Sequence, residues 1–153
     1  MPGYTVGIRF ETEPGLLDAD GLASLVETVL EAEGAPDGSV VGILFTDDEG
    51  LRAYNQQYRG IDAATDVLSF EMGNDEAFAG DDANELGDIV VSLESALRQA
   101  QAHSWTLQQE VAHLVVHATL HLCGHDHEES PEAEGAMRAR EERYLGPLAN
   151  VHS

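Results

Sequence analysis

The chain has 153 residues, the size of one ordinary domain with a single hydrophobic core. Its hydrophobic content of 42% is sufficient for a packed interior, and its single cysteine excludes a framework of intrachain disulfides. With 29 acidic and 7 basic residues, the formal net charge is −22, which favours solubility and, taken alone, is unlike the basic surface of a typical nucleic-acid-binding protein.

The sequence gives no sign of a membrane segment or of a secretion signal. No apolar run approaches the roughly 20 residues that are needed to span a bilayer. Residues 1–13 contain neither the basic start nor the continuous apolar stretch of a signal peptide. Together with the lone cysteine, these features lead us to expect a cytoplasmic protein that does not bind a membrane.

The first half of the chain mixes predicted strands and helices. Alternating or continuous apolar residues predict strands at residues 5–10, 40–45 and 67–72. Helical periodicity predicts a helix over residues 16–33 and, after a cap at Asp47 or Asp48, a short helix that ends at Tyr58. A loop rich in glycine, asparagine and aspartate follows at residues 73–85.

The second half is predicted to be mainly helical. A fourth strand is expected at residues 86–93, before helices whose first residues carry capping signals. These signals are Ser92 for a helix to about residue 103, Thr106 with Gln109 for a helix to about residue 122, and Ser130 with Pro131 for a helix to residue 145.

The order of these elements indicates the fold class. Strands and helices are mixed without strict βαβ alternation, and we find no internal repeat or linker. We therefore expect an α+β fold in one domain over residues 1–153, with a single mixed β-sheet of about four strands and about five helices.

Five of the seven histidines lie between residues 111 and 128. Because each helical residue turns by about 100°, His113, His117 and His121 are expected to form one stripe of the predicted helix, together with Glu110. The neighbouring stripe is apolar and consists of Leu107, Val111, Leu114, Ala118 and Leu122. The imidazoles are therefore expected at the border of the core, where a half-buried metal site would lie.

The spacing of three histidines indicates a zinc site. His117 and His121 are four residues apart and can bind the same ion, whereas three helical residues spaced by four span about 12 Å and cannot share one. Gly124 is expected to end the helix in a left-handed conformation, so that the chain folds back and His127 supplies the third ligand. This ligand spacing equals that of the metzincin motif, and we predict one Zn²⁺ per chain on the central helix and its following loop.

The predicted ligand set favours catalysis. Three neutral histidines leave a zinc ion one open position, as in catalytic sites, whereas structural zinc sites are closed by four ligands. Zinc peptidases with this spacing carry glutamate directly after the first histidine, as general base, but Ala118 occupies that position. Without that glutamate, peptide hydrolysis by the usual route has no proton acceptor, whereas a metal hydroxide could still attack a phosphodiester if an arginine held the phosphate.

Several neighbouring residues have open roles. His125 is the main competitor for the third ligand position, His113 is expected beside the site, and Cys123 is interpreted as a small buried hydrophobe. Surface positions are expected for His103 and His152. The candidates for orienting a ligand imidazole are Asp66, Asp126 and Glu110.

Three segments resemble the YbeY family of bacterial ribosomal RNA maturation factors. They are HATLHLCGHDH at residues 117–127, YRGIDAATDVLSF at residues 58–70 and ELGDIVVS at residues 85–92. Their order and rough spacing also agree with the family pattern, so the resemblance covers the chain from about residue 41 to residue 145.

The resemblance implies a metal-dependent endoribonuclease, and therefore a hydrolase, that acts on single-stranded RNA. It implies a role in 3′-end maturation of small-subunit ribosomal RNA and in ribosome quality control, with the small ribosomal subunit as a partner. It also implies zinc on His117, His121 and His127, with Arg59 as the catalytic or phosphate-binding residue. Arg52 could join Arg59 and the zinc in framing a positive cleft.

Two other functions are compatible with the zinc motif. A metzincin-like peptidase or other zinc hydrolase would need a different general base, and only Met137 lies downstream for the turn that such peptidases contain. A ribosome-associated protein could instead use the metal for stability alone, although the open coordination position argues against that role.

Overall fold

The structure is a computed structural model that describes residues 3–13, 15, 17–62, 65–71, 85–124 and 131–145. These residues form four strands and five helices. In chain order they are β1 (Thr5–Phe10), α1 (Ala19–Ala32), β2 (Val40–Thr46), α2 (Asp48–Arg59), β3 (Val67–Glu71), β4 (Glu85–Ser92), α3 (Leu93–His103), α4 (Leu107–Leu122) and α5 (Pro131–Leu145). Over the described ranges, no helix combines the length and the apolar character that a bilayer crossing requires.

The four strands form one mixed sheet in the order β1-β2-β4-β3. β1 runs parallel to β2 and β2 runs parallel to β4, whereas β3 is antiparallel to β4. The predicted α+β fold, with a single mixed sheet of four strands and five helices, is confirmed.

Most element boundaries agree with the sequence patterns to within two residues. The main difference is α1, which begins at Ala19 because the Asp18 side chain accepts a hydrogen bond of 3.0 Å from the Gly21 amide and caps the first turn. The predicted end of β3 at Met72, the cap at Ser130 and all of the loop predicted at residues 73–85 except Glu85 lie outside the described residues. Glu85 belongs to β4 and not to the loop.

The start of α4 is fixed by a capping box, as predicted. The Thr106 hydroxyl accepts a hydrogen bond of 3.1 Å from the Gln109 amide, and the Gln109 side chain accepts one of 2.8 Å from the Thr106 amide. Both bonds satisfy donors that the first turn of a helix leaves unpaired. The box sets where α4 begins.

The sheet separates two groups of buried side chains. On one face, alternate residues of β2 and β4, such as Phe45 and Val91, pack against α1 and α4. On the other face, Leu44 and Val90 pack against Leu51 of α2. α5 lies on the outer side of α4, where Met137 is buried. α4 is therefore the central helix, in contact with the sheet, α1, α3 and α5.

The last turn of α4 approaches the sheet most closely at Gly87 of β4. A Cβ atom added to Gly87 would lie 2.5 Å from the Phe70 carbonyl oxygen and 2.6 Å from Cδ2 of Leu122. Both distances are far shorter than ordinary van der Waals contact, so only glycine lets Leu122 lie directly over β4.

We expect Gly87→Ala to lower the free energy of unfolding by about 1–3 kcal/mol, because the added methyl group forces the backbone of β3 or the end of α4 to move. The measurement is urea unfolding of the metal-free protein. Gly135→Ala is the matched control, because no atom lies within 4 Å of a Cβ added there. Gly135 is an exposed residue of α5, so this control should stabilise the protein by about 0.5–1 kcal/mol. Equal stability of Gly87→Ala and wild type would contradict the close packing.

Candidate metal centre

The two predicted stripes of α4 are present. Val111, Leu114, Ala118 and Leu122 are buried, and Leu107 packs against the same core cluster. The histidine side chains beside them are neither buried nor fully exposed, with 26% exposure for His113 and 24% for His117. The imidazoles therefore border the core, as the periodicity predicts.

His117 and His121 direct the same ring nitrogen at each other. Their Nε2 atoms are 3.1 Å apart, and their rings meet edge to face with centroids separated by 4.7 Å. Two nitrogens that lie about 2.0–2.1 Å from one tetrahedral zinc ion are separated by roughly 3.3 Å. The pair thus has nearly the separation that a shared ion requires.

Glu141 of α5 connects this pair to His113. One carboxylate oxygen of Glu141 lies 2.8 Å from Nδ1 of His117, and the other lies 2.8 Å from Nε2 of His113. His113 therefore points away from the His117–His121 pair and into α5, in agreement with its expected place beside the site.

The carboxylate of Glu141 is ionised although it is only 6% exposed. Burial alone would raise the pKa of Glu141, but its bonds to His113 and His117 outweigh this effect and lower the pKa to about 2. An anionic acceptor at Nδ1 of His117 favours the tautomer that keeps its proton there. The lone pair of Nε2, which faces His121, can then bind a metal.

The sequence patterns did not identify Glu141. It lies on a helix that is separate in the chain from α4, among 29 acidic residues. One local signal was present: Glu141 follows the buried Met137 by four residues and so shares its side of α5.

The three carboxylates that were predicted to orient an imidazole have different outcomes. Glu110 is only 1% exposed, but its carboxylate lies 3.0 Å from Nδ1 of His103, which is not a predicted metal ligand. The prediction that Glu110 orients a metal-binding imidazole is therefore wrong. The side chain of Asp66 accepts a hydrogen bond from Thr65, and no contact with a histidine of the described chain supports the role predicted for it. Asp126 lies outside the described residues.

His103 lies at the surface, as predicted, with 36% of its side chain exposed, but its ring is also packed against neighbouring side chains. In addition to its bond with Glu110, its ring meets Trp105 edge to face with centroids 4.9 Å apart. Trp105 in turn meets His113 at 5.6 Å. These contacts join the end of α3 to α4. His152 lies outside the described residues.

The turn after α4 has the predicted conformation at its start. Gly124 has a φ of 99°, the left-handed conformation that ends a helix. His127 and its competitor His125 lie outside the described residues, and the described part of the chain contains no group of three possible metal ligands. Cys123 packs against the core, and burial, with a smaller effect of Glu33, raises the pKa of its thiol to about 11. A thiol of this kind is a poor zinc ligand.

The two arginines of α2 differ in their partners. Arg52 forms hydrogen bonds of 2.5 and 3.1 Å with the carboxylate of Asp62, which compensates its charge. Arg59 is exposed at the end of α2, and it forms no ion pair within the described ranges of the chain. α2 packs on the sheet face opposite α4, so Arg59 does not touch the described histidines. The structure therefore favours Arg59 over Arg52 as a contact for an anion.

Comparison with known proteins identifies the chain as a hydrolase. Residues 9–149 match the family model described as Endoribonuclease YbeY. Endoribonuclease YbeY of Roseiflexus sp. (strain RS-1) is 47% identical over 135 residues, which cover 86% of this chain and 84% of that protein. The protein of the same name from Pelotomaculum thermopropionicum is 45% identical over 128 residues, or 83% of this chain and 84% of the relative.

A solved structure has the same architecture. The solution structure of TM1509 from Thermotoga maritima matches with a TM-score of 0.64 and 26% sequence identity, covering 92% of this chain and 87% of the other. The chain belongs to the YbeY family of endoribonucleases.

We expect His103→Ala to lower the free energy of unfolding by about 1–3 kcal/mol, because it removes the imidazole that is bonded to the buried carboxylate of Glu110. Gln101→Ala, at an exposed position of the same helix, is the control and should change stability by no more than about 0.5 kcal/mol. Thermal and urea unfolding of both variants provide the measurement. A His103 variant as stable as the control would show that the contact with Glu110 does not contribute to stability.

Proposed function

We propose that this chain is a single-domain, metal-dependent endoribonuclease, spanning residues 1–153, that cuts single-stranded RNA with one Zn²⁺ on His117, His121 and His127. The observation that carries the proposal is the 3.1 Å separation of the two Nε2 atoms of His117 and His121. The bond from His117 to Glu141 supports it further, because zinc-binding histidines usually present their other ring nitrogen to a carboxylate or carbonyl.

The chemistry of the described donors fits this metal. Imidazole nitrogen is a preferred zinc ligand, and the nearby thiol of Cys123 is protonated and packed into the core. Held by His117, His121 and His127, a zinc ion would supply Lewis-acid chemistry toward a phosphodiester.

The proposed roles of the protein groups follow from their positions. His117 and His121 supply nitrogen ligands from a helix that packs on the core, and the left-handed Gly124 follows the end of that helix, three residues before the proposed third ligand His127. Glu141 keeps His117 in the orientation that binds metal. Arg59, at the end of α2 on the opposite sheet face, donates guanidinium hydrogen bonds to a phosphate of the bound RNA.

A peptidase is not favoured. Ala118 occupies the position at which zinc peptidases of this spacing carry their general base, and its side chain is buried against the core. A role for the metal in stability alone is not favoured either, because the family to which the chain belongs consists of endoribonucleases.

The proposed physiological substrate is ribosomal RNA. The family resemblance supports action at the 3′ end of small-subunit ribosomal RNA, in its maturation and in ribosome quality control, with the small subunit as partner. A ribosomal substrate places the proposed activity in the cytoplasm, where ribosomes are assembled. The net charge of −22 repels RNA at long range, so the attraction must be local, at Arg59 and the metal.

The proposed activity is tested by cleavage of a labelled, unstructured RNA oligonucleotide by the zinc-loaded protein. We expect cleavage by the wild type, its loss in His121→Ala, which removes a ligand, and a decrease of about 10²-fold in Arg59→Ala, which removes a donor to the phosphate. The assays are run at low and high salt, because screening weakens the repulsion between the acidic surface and RNA.

Arg52→Ala is the matched control for Arg59, since Arg52 is an exposed arginine of the same helix whose charge is compensated by Asp62. It should keep near wild-type activity. An absence of RNA cleavage at every salt concentration, with one zinc bound and a peptide substrate hydrolysed, would overturn the nuclease assignment.

We expect Glu141→Gln to weaken zinc binding by about 10–100-fold, because the neutral amide holds the His117 tautomer less firmly than the carboxylate does. Competition with a chromogenic chelator measures this affinity without any substrate. Glu142→Gln is the control, because Glu142 pairs with Arg138 on the exposed side of α5. Equal zinc affinity in both variants would show that Glu141 does not orient a ligand.

A further inference from the structure

A cavity of about 340 Å³ lies on the sheet face that α2 covers, opposite the face that carries α4. Its volume is at the lower end of the range of about 300–1,000 Å³ for sites that bind small molecules. None of its lining residues belongs to the histidine cluster. The cavity is therefore a separate feature that the proposed metal chemistry does not use.

The floor of the cavity is open because glycines occupy two adjacent strands. Gly7, Gly42 and Asp88 lie side by side across β1, β2 and β4. A Cβ added to Gly42 would collide with a carboxylate oxygen of Asp88, whereas a Cβ added to Gly7 would meet no atom within 4 Å. The Asp88 side chain thus lies across Gly42, and the floor beside it is flat and unoccupied.

Asp88 presents hydrogen-bond acceptors in this cavity. Its side chain is half-buried, and no hydrogen bond or ion pair engages its carboxylate in the described part of the chain. Burial raises the pKa of Asp88, and the charge of Arg9, another lining residue, opposes that rise only in part. A half-buried carboxylate without donors is unfavourable, and a ligand that supplies them would relieve this cost.

One wall of the cavity is aromatic. Tyr54 and Tyr58 of α2 are stacked with ring centroids 6.1 Å apart, and Tyr58 meets Phe70 of β3 edge to face at 5.5 Å. All three side chains line the cavity. Aromatic walls of this kind accept flat rings, and proteins that bind single-stranded RNA use them to stack unpaired bases.

The cavity combines a flat floor, an aromatic wall, the carboxylate of Asp88 and the guanidinium of Arg9. Together these groups determine which class of ligand it can bind. Guanine is the RNA base whose Watson–Crick edge offers two adjacent donors, N1–H and N2–H, and these match the two oxygens of a carboxylate. Adenine, cytosine and uracil each place an acceptor beside their donor, and this acceptor would face the Asp88 oxygens. Arg9 would repel a cationic group such as an arginine side chain and would attract a phosphate.

We propose that this cavity binds the guanine base of a guanosine nucleotide, with Asp88 accepting hydrogen bonds from N1–H and N2–H and Arg9 contacting the phosphate. The base would lie over Gly7 and Gly42 and against the aromatic wall. That this nucleotide is part of an RNA chain rests on the proposed nuclease function. The cavity would then give the enzyme a preference for guanosine at one position of single-stranded RNA.

The test is a titration of the metal-free protein with the 5′-monophosphates of guanosine, adenosine, cytidine and uridine, followed by calorimetry and by NMR chemical shifts. We expect guanosine monophosphate to bind about tenfold or more tightly than the other three. Asp88→Asn should remove most of this preference, because the amide group turns one acceptor into a donor. Asp20→Asn, an exposed position on α1, is the matched control and should bind like wild type.

Arg9→Gln provides a second variant at an exposed position. It should weaken binding of guanosine monophosphate severalfold and leave binding of guanosine itself nearly unchanged. Asp88→Asn should melt no lower than wild type, because it removes a charge that burial disfavours.

Equal affinity for the four nucleotides, an unchanged preference in Asp88→Asn, or tighter binding of an arginine-containing peptide than of guanosine monophosphate would overturn the proposal. Binding is measured here without metal and without cleavage. Failure of the nuclease assignment and failure of the guanine site are therefore separate outcomes.

Discussion

The contact of one buried carboxylate with two imidazoles is the interaction on which the candidate metal centre depends. Glu141 lies within 2.8 Å of a ring nitrogen of His117 and within 2.8 Å of one of His113, so it fixes both rings relative to α4. These bonds require α5 to pack on α4, which it does through Met137 and Leu120. The position of a helix near the end of the chain therefore decides which nitrogen His117 offers to a metal.

The same helix, α4, connects the hydrophobic core to the metal centre. Its apolar stripe packs on the sheet, and the glycine at position 87 lets its last turn approach β4 closely. The two proposed ligands on α4, His117 and His121, thus lie on an element that packs on the core and need little ordering when an ion binds. The guanine cavity lies on the other face of the sheet, where α2 contributes Tyr54, Tyr58 and, just beyond them, Arg59. The proposed metal binding and the proposed recognition of the nucleotide therefore lie on opposite faces of the sheet.

Local patterns predicted the part of the site that depends on short distances along the chain. The capping box at Thr106 and the 3.6-residue period were sufficient to place His117 beside His121. They could not identify Glu141, because its partners are 24 and 28 residues away on another helix. The cavity at Asp88 could not be predicted from the sequence either, because it depends on how three strands are aligned side by side in the sheet. The surface position of His103 was predicted, but the pattern could not show that Glu110 would face it across the turn between α3 and α4.

The assignment of one zinc ion to three histidines is tested most directly by X-ray absorption at the zinc edge of the zinc-loaded protein. Wild type is expected to show three imidazole nitrogens about 2.0–2.1 Å from the metal and no sulfur. His127→Ala should lose one of these nitrogens, and His125→Ala should keep all three. A sulfur neighbour at about 2.3 Å, which would place Cys123 in the site, or an unchanged spectrum for His127→Ala would contradict the assignment.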